Sequence, residues 1–313
     1  TLNSDGDVHM QRRSVTSVPI MPKNIAPLDD YIREVAEGLA AQLATKGGFD
    51  AVTEFAQVLP LAVVVDLIGL PDEGKGQMLK WASATFNLFE GFNARSRAAF
   101  GDLKGLQQFL TEHGRREALK EGGLAQRIFD VAPEKGFSEQ EAAQLMRDYI
   151  NPSLDTTISV AGVVPYYFAK FPDQWEALRA DPTLVPNAVE ELVRLVTPIR
   201  AFSRYVAQNT EIAGVSLTKG DRVLAIYASA NRDERVWEDP DRFDVTRNVR
   251  KHLGFGHGRH TCMGLHLARR ELIHLIASML QRVRAWELDG TPEIAMNNTI
   301  RAFAHLPVRV HPC

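Results

Sequence analysis

The stretch GFGHGRHTCMG, residues 254–264, surrounds one of the chain's two cysteines with four glycines and three basic side chains. Glycine lets a backbone approach a flat surface closely because it carries no Cβ. The apolar, helix-like segment GLHLARRELIHLIASML begins two residues after Cys262. The free N–H groups and the positive dipole end at the start of a helix stabilise a thiolate. The stretch therefore predicts a loop in which Cys262 is ionised, as a metal ligand or as a nucleophile.

The composition excludes several classes of protein. The chain has 313 residues, is 45% hydrophobic, and can bury a large core as one domain or two. A net charge of −3, from 39 acidic and 36 basic residues, is too balanced for a general nucleic-acid binder. The only two cysteines, Cys262 and Cys313, fit a reducing compartment. With no apolar run of membrane-spanning length and no signal peptide, we expect a cytoplasmic protein that binds neither nucleic acid nor membrane.

Hydrophobic periodicity predicts that most of the first two thirds of the chain is helical. The sequence SEQE is typical of a capping box, with Ser138 as the N-cap and Glu141 three residues later. Predicted helices cover 28–43, 55–71, 73–92, 94–120 and 138 to about 170, with further helices starting at Pro172, near Pro186 and after Cys262.

After Pro198 the pattern changes to short alternating segments. Turn residues at Asn209 and at 219–220 separate them, which predicts short strands, and LPVRVHP (306–312) is typical of a closing strand. The predicted fold class is mainly α with small peripheral β-sheets.

The cysteine stretch resembles the haem-binding motif of the cytochrome P-450 family, Phe-x-x-Gly-x-His/Arg-x-Cys-x-Gly. It matches that motif at Phe255, Gly258, His260, Cys262 and Gly264. The resemblance implies a P-450-like fold, a single haem-thiolate domain over the whole chain, and haem b (iron protoporphyrin IX) as cofactor. It also implies that Cys262 is the iron ligand, and such a thiolate favours cleavage of the O–O bond.

Two further motifs follow in the family's order. ELVR contains Glu191 and Arg194 and matches the family's Glu-x-x-Arg, and Arg242 in EDPDRFD would complete a buried Glu–Arg–Arg cluster. This cluster would lock the cysteine loop against the helix behind it. LDTT matches the family's acid–alcohol pair, which implies that Asp155 and Thr156 deliver protons to bound oxygen.

The resemblance also implies residues for the haem propionates. HMQRR contains His9 and Arg13 in the family's His-x-x-x-Arg pattern, and Arg204 lies where the family has another propionate-binding arginine. His260 is placed to reach a carboxylate at the edge of the cofactor. Because the family's His-x-x-x-Arg motif follows an N-terminal helix, a sheet and a roofing loop, we expect a fold lacking that N-terminal portion and a more open haem face.

The chain departs from the family before the acid–alcohol pair, where Pro152 and Ser153 replace small residues. A proline inside a helix removes a hydrogen bond and kinks the helix. The Thr156 hydroxyl lies one turn later and could bond to the Pro152 carbonyl. We therefore expect the kink that opens the oxygen-binding groove to be retained.

The implied reaction is hydroxylation or O-demethylation of a small apolar or aromatic molecule with O2. Electrons would come from a ferredoxin-type donor and its reductase, because the chain has neither a flavin domain nor an iron–sulfur cysteine set. The donor would dock near Arg259 and the basic run 250–252. Arg200 or Arg301 could meet a substrate carboxylate, a propionate or solvent. The predicted substrate-pocket residues are Phe86, Phe89, Ile150, Leu154, Ile199, Phe202 and Ile300.

Other interpretations stay open from the sequence. The chain could bind haem but be catalytically impaired by its shortened form. It could also be a peroxygenase, which an open haem face favours and the pair Asp155–Thr156 disfavours. A zinc cluster is a weaker hypothesis, because its spacing fits no standard finger. That cluster would consist of Cys262, His252, His257, His260 and His266.

Overall fold

The computed structural model describes residues 1–89, 91–150 and 152–313, and its fold is mainly helical with small antiparallel sheets, as predicted. The α-helices among these residues are α1 (Gly6–Thr16), α2 (Pro22–Ile25), α3 (Asp29–Lys46), α4 (Val58–Ala62), α5 (Met78–Asn87), α6 (Ala94–His113), α7 (Gln126–Val131), α8 (Glu139–Leu145), α9 (Arg147–Ile150), α10 (Asp155–Lys170), α11 (Pro172–Ala180), α12 (Val185–Val196), α13 (Tyr227–Ala230) and α14 (Leu265–Leu280). The strands are β1 (Gly48–Asp50), β2 (Phe202–Tyr205), β3 (Thr210–Ile212), β4 (Val215–Leu217), β5 (Arg222–Ala225), β6 (Val283–Leu288), β7 (Glu293–Ile294), β8 (Phe303–His305) and β9 (Pro307–Pro312).

Helix α3 confirms the helix predicted over 28–43, and the apolar segment 55–71 is helical but irregular. Its regular part is the short α4, flanked by π-helical turns at Ala51–Ala56 and Val63–Leu67. Pro60 lies inside α4 and has no amide to donate, so it interrupts the regular ladder of hydrogen bonds. The segment ends as predicted, where Gly69 adopts φ +80°.

The two helices predicted next are shorter than expected. Helix α5 ends at Asn87, and α6 ends at His113 rather than near residue 120. At Gly114 a Cβ would lie 2.2 Å from the Leu110 carbonyl oxygen, so only glycine fits this helix end. Asn93 caps the start of α6 together with Ser96, an N-cap that the periodicity alone does not reveal.

The long helical pattern from Ser138 to Lys170 is three helices rather than one kinked helix. The capping box of Ser138 and Glu141 is present at the start of α8. Pro152 lies between α9 and α10, and its ring and missing amide prevent the helix from continuing. The Thr156 hydroxyl donates a 2.7 Å hydrogen bond to the Pro152 carbonyl, as predicted.

The strands form small antiparallel sheets at the periphery. The closing strand β9 is confirmed and lies between β1 and β6, while β2–β5, β3–β4 and β7–β8 are two-stranded. Helix α10 lies at the centre, in contact with α5, α12, α14 and β6, and most of its side chains are buried. Across the ranges described, no helix combines the length and apolar character needed to cross a membrane.

Candidate functional site

The cysteine loop folds back on itself before α14. Gly256 and Gly258 adopt φ +71° and +72°, a backbone conformation that residues other than glycine rarely adopt. The Cys262 amide donates a 2.8 Å hydrogen bond to the Phe255 carbonyl, which closes the loop. Gly264 is the N-cap of α14. Cys262 therefore lies directly before the start of a long helix.

Gly254 fixes the loop against α12. A Cβ at this position would lie 2.5 Å from Val193 Cγ1 and 2.8 Å from the Val193 carbonyl oxygen. Any other residue would push the loop away from the helix. The first glycine of the stretch thus serves close packing between two protein segments.

The structure brings Glu191 and Arg194 together on α12, and both side chains are fully buried. The guanidinium donates two hydrogen bonds to the carboxylate, at 2.6 and 2.8 Å. It also donates to the carbonyls of Asn231 and Pro240, at 2.7 and 2.9 Å. The charges are thus paired and their donors satisfied, which a buried ion pair requires.

The third member of this cluster is Arg247, and the prediction of Arg242 is wrong. Arg247 Nε donates to Glu191 Oε1 at 3.0 Å, and its other nitrogens donate to the carbonyls of Glu238, Asp239 and Arg242. Arg242 is exposed and contributes only its backbone oxygen. The chain turns over 239–242, which points the backbone of Arg242 at the cluster and leaves its side chain outside.

A second set of charges, which sequence reasoning missed, clamps both ends of the cysteine segment to α12. Glu190 accepts from His252 Nε2 at 2.8 Å and from Arg269 at 2.5 and 2.9 Å. Burial would raise the pKa of Glu190, but the bonds from His252 and Arg269 outweigh it and hold the pKa low. The Arg269 guanidinium also lies 5.0 Å from the centre of the Phe255 ring.

The pairing of His252 with Glu190 removes one residue of the basic run 250–252 from the predicted docking surface for an electron donor. The His252 side chain is almost buried and paired with Glu190, so it offers no surface charge. Arg250, Lys251 and Arg259 are exposed.

Opposing influences act on the pKa of the Cys262 thiol. Burial raises its pKa, while a hydrogen bond from the Gly264 amide and the charges of Arg13 and Arg269 act against this rise. The expected thiolate is therefore not produced by the helix start alone. A metal ion on the sulfur would deprotonate it outright.

Three of the predicted propionate-binding residues lie together beside the loop. The rings of His9 and His260 stack with their centres 4.1 Å apart, and Arg13 donates to the Thr261 carbonyl at 2.6 Å. His260 Nε2 lies 2.9 Å from Asp5 Oδ1. Burial, together with the nearby His260 and Arg13, lowers the pKa of His9.

Arg204 is not among the contacts of this basic group. Its guanidinium donates to the Tyr227 hydroxyl at 3.0 Å and to the Ser203 carbonyl at 2.8 Å, on the two-stranded β2–β5 sheet, and the Arg204 side chain is exposed.

The residues around Cys262 fit the haem that the resemblance implies. A Cβ on Gly258 or Gly264 would meet no atom within 4 Å, so both glycines leave open space beside the loop for a flat group. His9 Nδ1 is buried and finds no hydrogen-bond partner among the described residues, as expected of a side chain that takes its partner from a cofactor. One thiol with cationic side chains beside it suits a haem, because the thiol can ligate the iron and the cations can pair with the propionates.

No rival metal site is present in the part of the chain that the structure describes. No group of three or more His, Cys, Asp and Glu side chains is placed to hold a metal ion there. His252 is engaged with Glu190 and His260 with His9 and Asp5. These contacts disfavour the zinc cluster.

Asp155 and Thr156 begin α10, on the side of the molecule where α5 packs. Burial raises the pKa of Asp155 to about 7, against a hydrogen bond from Ser83 on α5 that lowers it. Thr156 uses its proton for the Pro152 carbonyl, so its oxygen lone pairs remain available as acceptors. The pair therefore combines a carboxyl group that titrates near neutral pH with a hydroxyl acceptor.

The predicted pocket residues form two groups of contacts and a buried pair. Phe86 and Phe89 lie with ring centres 6.2 Å apart, and Phe89 meets Phe202 edge-on at 5.7 Å. Ile199 and Ile300 pair in an isolated antiparallel β-bridge. The remaining two, Ile150 and Leu154, are fully buried on either side of Pro152.

Comparisons with known proteins agree with this architecture. The family model for cytochrome P-450 matches residues 107–311. The chain is 35% identical over 312 residues to cytochrome P-450 CYP199A2 of Rhodopseudomonas palustris, covering 99% of this chain and 76% of that protein. It is 31% identical over 322 residues to linalool 8-monooxygenase of Pseudomonas putida, covering 99% and 77%.

Solved structures show the same likeness. The crystal structure of P-450BioI in complex with an acyl carrier protein ligated to hexadec-9Z-enoic acid matches with a TM-score of 0.88 and 27% identity, over 98% of this chain and 81% of that one. The chain thus has the fold of a haem-thiolate oxidoreductase. It belongs to the cytochrome P-450 family, whose members are haem-dependent monooxygenases acting on small molecules with electrons from redox partners.

Proposed function

We propose that this protein is a haem b monooxygenase that inserts one atom of O2 into a small apolar or aromatic molecule, by hydroxylation or O-demethylation. The observation that carries the proposal is the position of Cys262 at the start of α14, with open space beside Gly258 and Gly264. Two charge clusters on α12 hold the segments on both sides of this cysteine. A ligand that must stay in register with a cofactor needs such support.

We assign the holding of the cofactor to the residues gathered at this loop. Cys262 would ligate the iron, and His9, Arg13 and His260 would bind the propionates with charge-assisted hydrogen bonds. Arg204 stays a prediction for the same role. A thiolate-ligated haem supplies activation of O2 when it is bound.

Proton supply is the task we assign to Asp155 and Thr156. Asp155 is protonated and ionised in comparable amounts near neutral pH, because its pKa is about 7. A general acid works best when its pKa lies near the working pH. Thr156, whose proton is engaged by Pro152, would accept a hydrogen bond from a water molecule or other donor beside it.

The substrate class follows from the rings on α5 and β2. A continuous row of aromatic contacts joins Phe86, Phe89 and Phe202. Ile300 lies near this row, because its neighbour Thr299 donates a hydrogen bond to the Phe86 carbonyl on α5. Aromatic and aliphatic surface of this kind favours a compact apolar molecule. One relative, by its name, is a monooxygenase of linalool, which supports oxygen insertion into an organic substrate.

The electron donor would be a ferredoxin-type protein, reduced by its own reductase. The exposed Arg250, Lys251 and Arg259 near the cysteine loop supply positive charge for an acidic partner.

The test is the carbon-monoxide difference spectrum of the reduced, haem-loaded protein. The wild type should show the red-shifted Soret band typical of thiolate ligation, and Cys262→Ser should abolish it. Cys313→Ser, at the chain's other cysteine, is the matched control and should keep the band. A histidine-type band in the wild type, or no haem binding, would overturn the proposal.

A further inference from the structure

Asn298, in the turn between β7 and β8, bridges the end of α5 and the start of α6. Its side-chain amide donates to the Asn87 carbonyl at 2.7 Å, and its side-chain oxygen accepts from Asn93 Nδ2 at 2.9 Å. The backbone amide of Asn298 donates to Asn87 Oδ1 at 3.1 Å. Asn87 is the last residue of α5 and Asn93 is the N-cap of α6, so one side chain holds both helix ends.

Neighbouring bonds join the same turn to the last part of α5. Asn297 Nδ2 donates to Ser83 Oγ at 3.2 Å, and the Thr299 hydroxyl donates to the Phe86 carbonyl at 2.9 Å. Asn297 Oδ1 accepts from the amides of Thr299 and Ile300, at 2.9 and 3.0 Å, which fixes the shape of the turn itself. The turn and the end of α5 therefore form one hydrogen-bonded unit.

The other side of the turn is bonded to the segment that follows α12. The Arg200 guanidinium donates to the carbonyls of Asn297 and Asn298, at 3.0 Å each. The neighbouring residues Ile199 and Ile300 pair in the isolated antiparallel bridge. The turn is thus held from two directions, and Asn298 takes part in the bonds on both sides.

The two sides carry different parts of the proposed substrate pocket. Phe86 and Phe89 lie at or just beyond the end of α5, and Ile199 and Ile300 lie on the bridge. Asn298 is bonded to the residue that follows Phe86 and lies two residues before Ile300. An asparagine side chain has both a donor and an acceptor, which lets it satisfy both helix ends at once. The bonds of Asn298 therefore set the spacing between the aromatic and the aliphatic residues.

We propose that Asn298 is a positioning residue that determines substrate specificity, because its bridge fixes the distance between the rings of Phe86 and Phe89 and the side chain of Ile300. The assignment rests on the proposed function, which places these three side chains at the substrate. A compact planar apolar group is recognised between the two sides. A molecule that needs a different spacing has to break the bonds of Asn298, and it is disfavoured for that reason.

The experiment is an optical titration of the haem-loaded protein with 4-phenylimidazole and with imidazole. Both azoles bind haem iron through a ring nitrogen and shift the Soret band, but only 4-phenylimidazole carries a phenyl group to meet the pocket residues. The ratio of the two dissociation constants therefore measures the pocket spacing. Asn298→Ala loses both side-chain bonds, so it should weaken 4-phenylimidazole about ten-fold and leave imidazole within about two-fold.

Asn93→Ser breaks the bridge from the side of α6. Serine still caps the helix, but its side chain is too short to replace the bond to Asn298. It should weaken 4-phenylimidazole about three-fold, and the double variant should be no weaker than Asn298→Ala alone, because both changes remove one interaction. The matched control is Met296→Ala, at an exposed side chain of the same turn, which should keep both affinities.

An unchanged ratio in Asn298→Ala would overturn the positioning role, and so would an equal weakening of both azoles, which a merely structural residue would give. If Asn298→Ala does not fold, Asn93→Ser decides by the same two criteria.

Hydrogen exchange of the haem-free protein supplies a second readout. Asn298→Ala should speed exchange at the end of α5 and the start of α6, and Met296→Ala should not. This measurement needs no haem, so faster exchange together with a failed carbon-monoxide test would reject the proposed function and keep the bridge. Unchanged exchange would overturn the bridge whatever the carbon-monoxide test shows.

Discussion

The carboxyl groups beside the cysteine loop and the carboxyl group at the start of α10 have opposite surroundings. Glu190 and Glu191, on α12, are each bonded to cationic or basic side chains from other segments. For Asp155, at the start of α10, burial is the largest influence on the pKa, and the Ser83 hydroxyl acts weakly against it. The pKa of Glu190 is accordingly held low, and that of Asp155 rises to about 7.

The difference separates two tasks that a haem-thiolate site requires. Fully paired charges keep one protonation state over a wide pH range and fix geometry, since breaking the pair leaves an uncompensated buried charge. A carboxyl group with neutral partners changes its protonation state easily near neutral pH. We therefore propose that the cysteine side holds a ligand still and that the start of α10 moves a proton.

The largest effect is expected from removing a cation on the cysteine side. Arg247→Ala should lower the free energy of unfolding by about 3 kcal/mol, because Glu191 loses a buried charged partner and several carbonyls lose their donor. Urea unfolding of the haem-loaded protein measures this loss, and part of the haem should dissociate.

Arg242→Ala is the control for this comparison, since its side chain is exposed and its carbonyl survives the substitution. It should change the free energy of unfolding by less than about 0.5 kcal/mol. Equal losses in the two variants would show that Arg242, the residue the sequence points to, belongs to the cluster after all.

The second prediction concerns a buried carboxyl group on the cysteine side for which the described residues supply no ion pair. Glu271 on α14 is buried, its Oε2 has no hydrogen-bond partner in the part of the chain that the structure describes, and burial raises its pKa to about 8. The folded protein keeps this proton while the unfolded chain releases it from about pH 4.5 upward. Stability from Glu271 is therefore complete below about pH 4.5 and is lost as the pH rises through about 8.

Glu271→Gln removes the titration and should make the protein more stable than the wild type at pH 9, with little difference at pH 5. Urea unfolding as a function of pH measures the difference. Glu117→Gln, at an exposed glutamate, should leave the pH dependence as in the wild type. A Glu271→Gln curve parallel to the wild-type curve would mean that Glu271 has a charged partner in solution.

Local signals account for what the sequence could predict. The capping box of Ser138 and Glu141, the helix start after Cys262 and the Thr156–Pro152 bond each depend on residues within one turn of each other. For the same reason the strands after Pro198 and the closing strand were predictable. The fold class and the positions of its main helices follow from such signals.

The contacts that set the charge of the site could not be predicted in this way. The partners Glu190 and Arg269 are separated by 79 residues, and Glu191 and Arg247 by 56. Arg242 and Arg247 lie in the same polar turn, and only the backbone path decides which guanidinium reaches Glu191.

The smallest effect is expected within the cysteine loop, where its first glycine, Gly254, is compared with its last, Gly264. Gly254→Ala would place a Cβ 2.5 Å from Val193, so the loop must shift from α12, at a cost of about 1–2 kcal/mol in the free energy of unfolding. Gly264→Ala meets no protein atom, and the backbone there, with φ −86°, accepts alanine. It should leave the unfolding of the haem-free protein unchanged.

Haem binding should reverse the order of these two glycine variants. The space beside Gly264 is the space we assign to the cofactor, so Gly264→Ala should weaken haem binding more than Gly254→Ala, measured by haem titration of the haem-free proteins. Gly254 would then serve contact between protein segments and Gly264 contact with the cofactor. If both variants lost stability and haem affinity in parallel, the loop would be a purely structural feature, and the division between holding the ligand and receiving the cofactor would fail within this stretch.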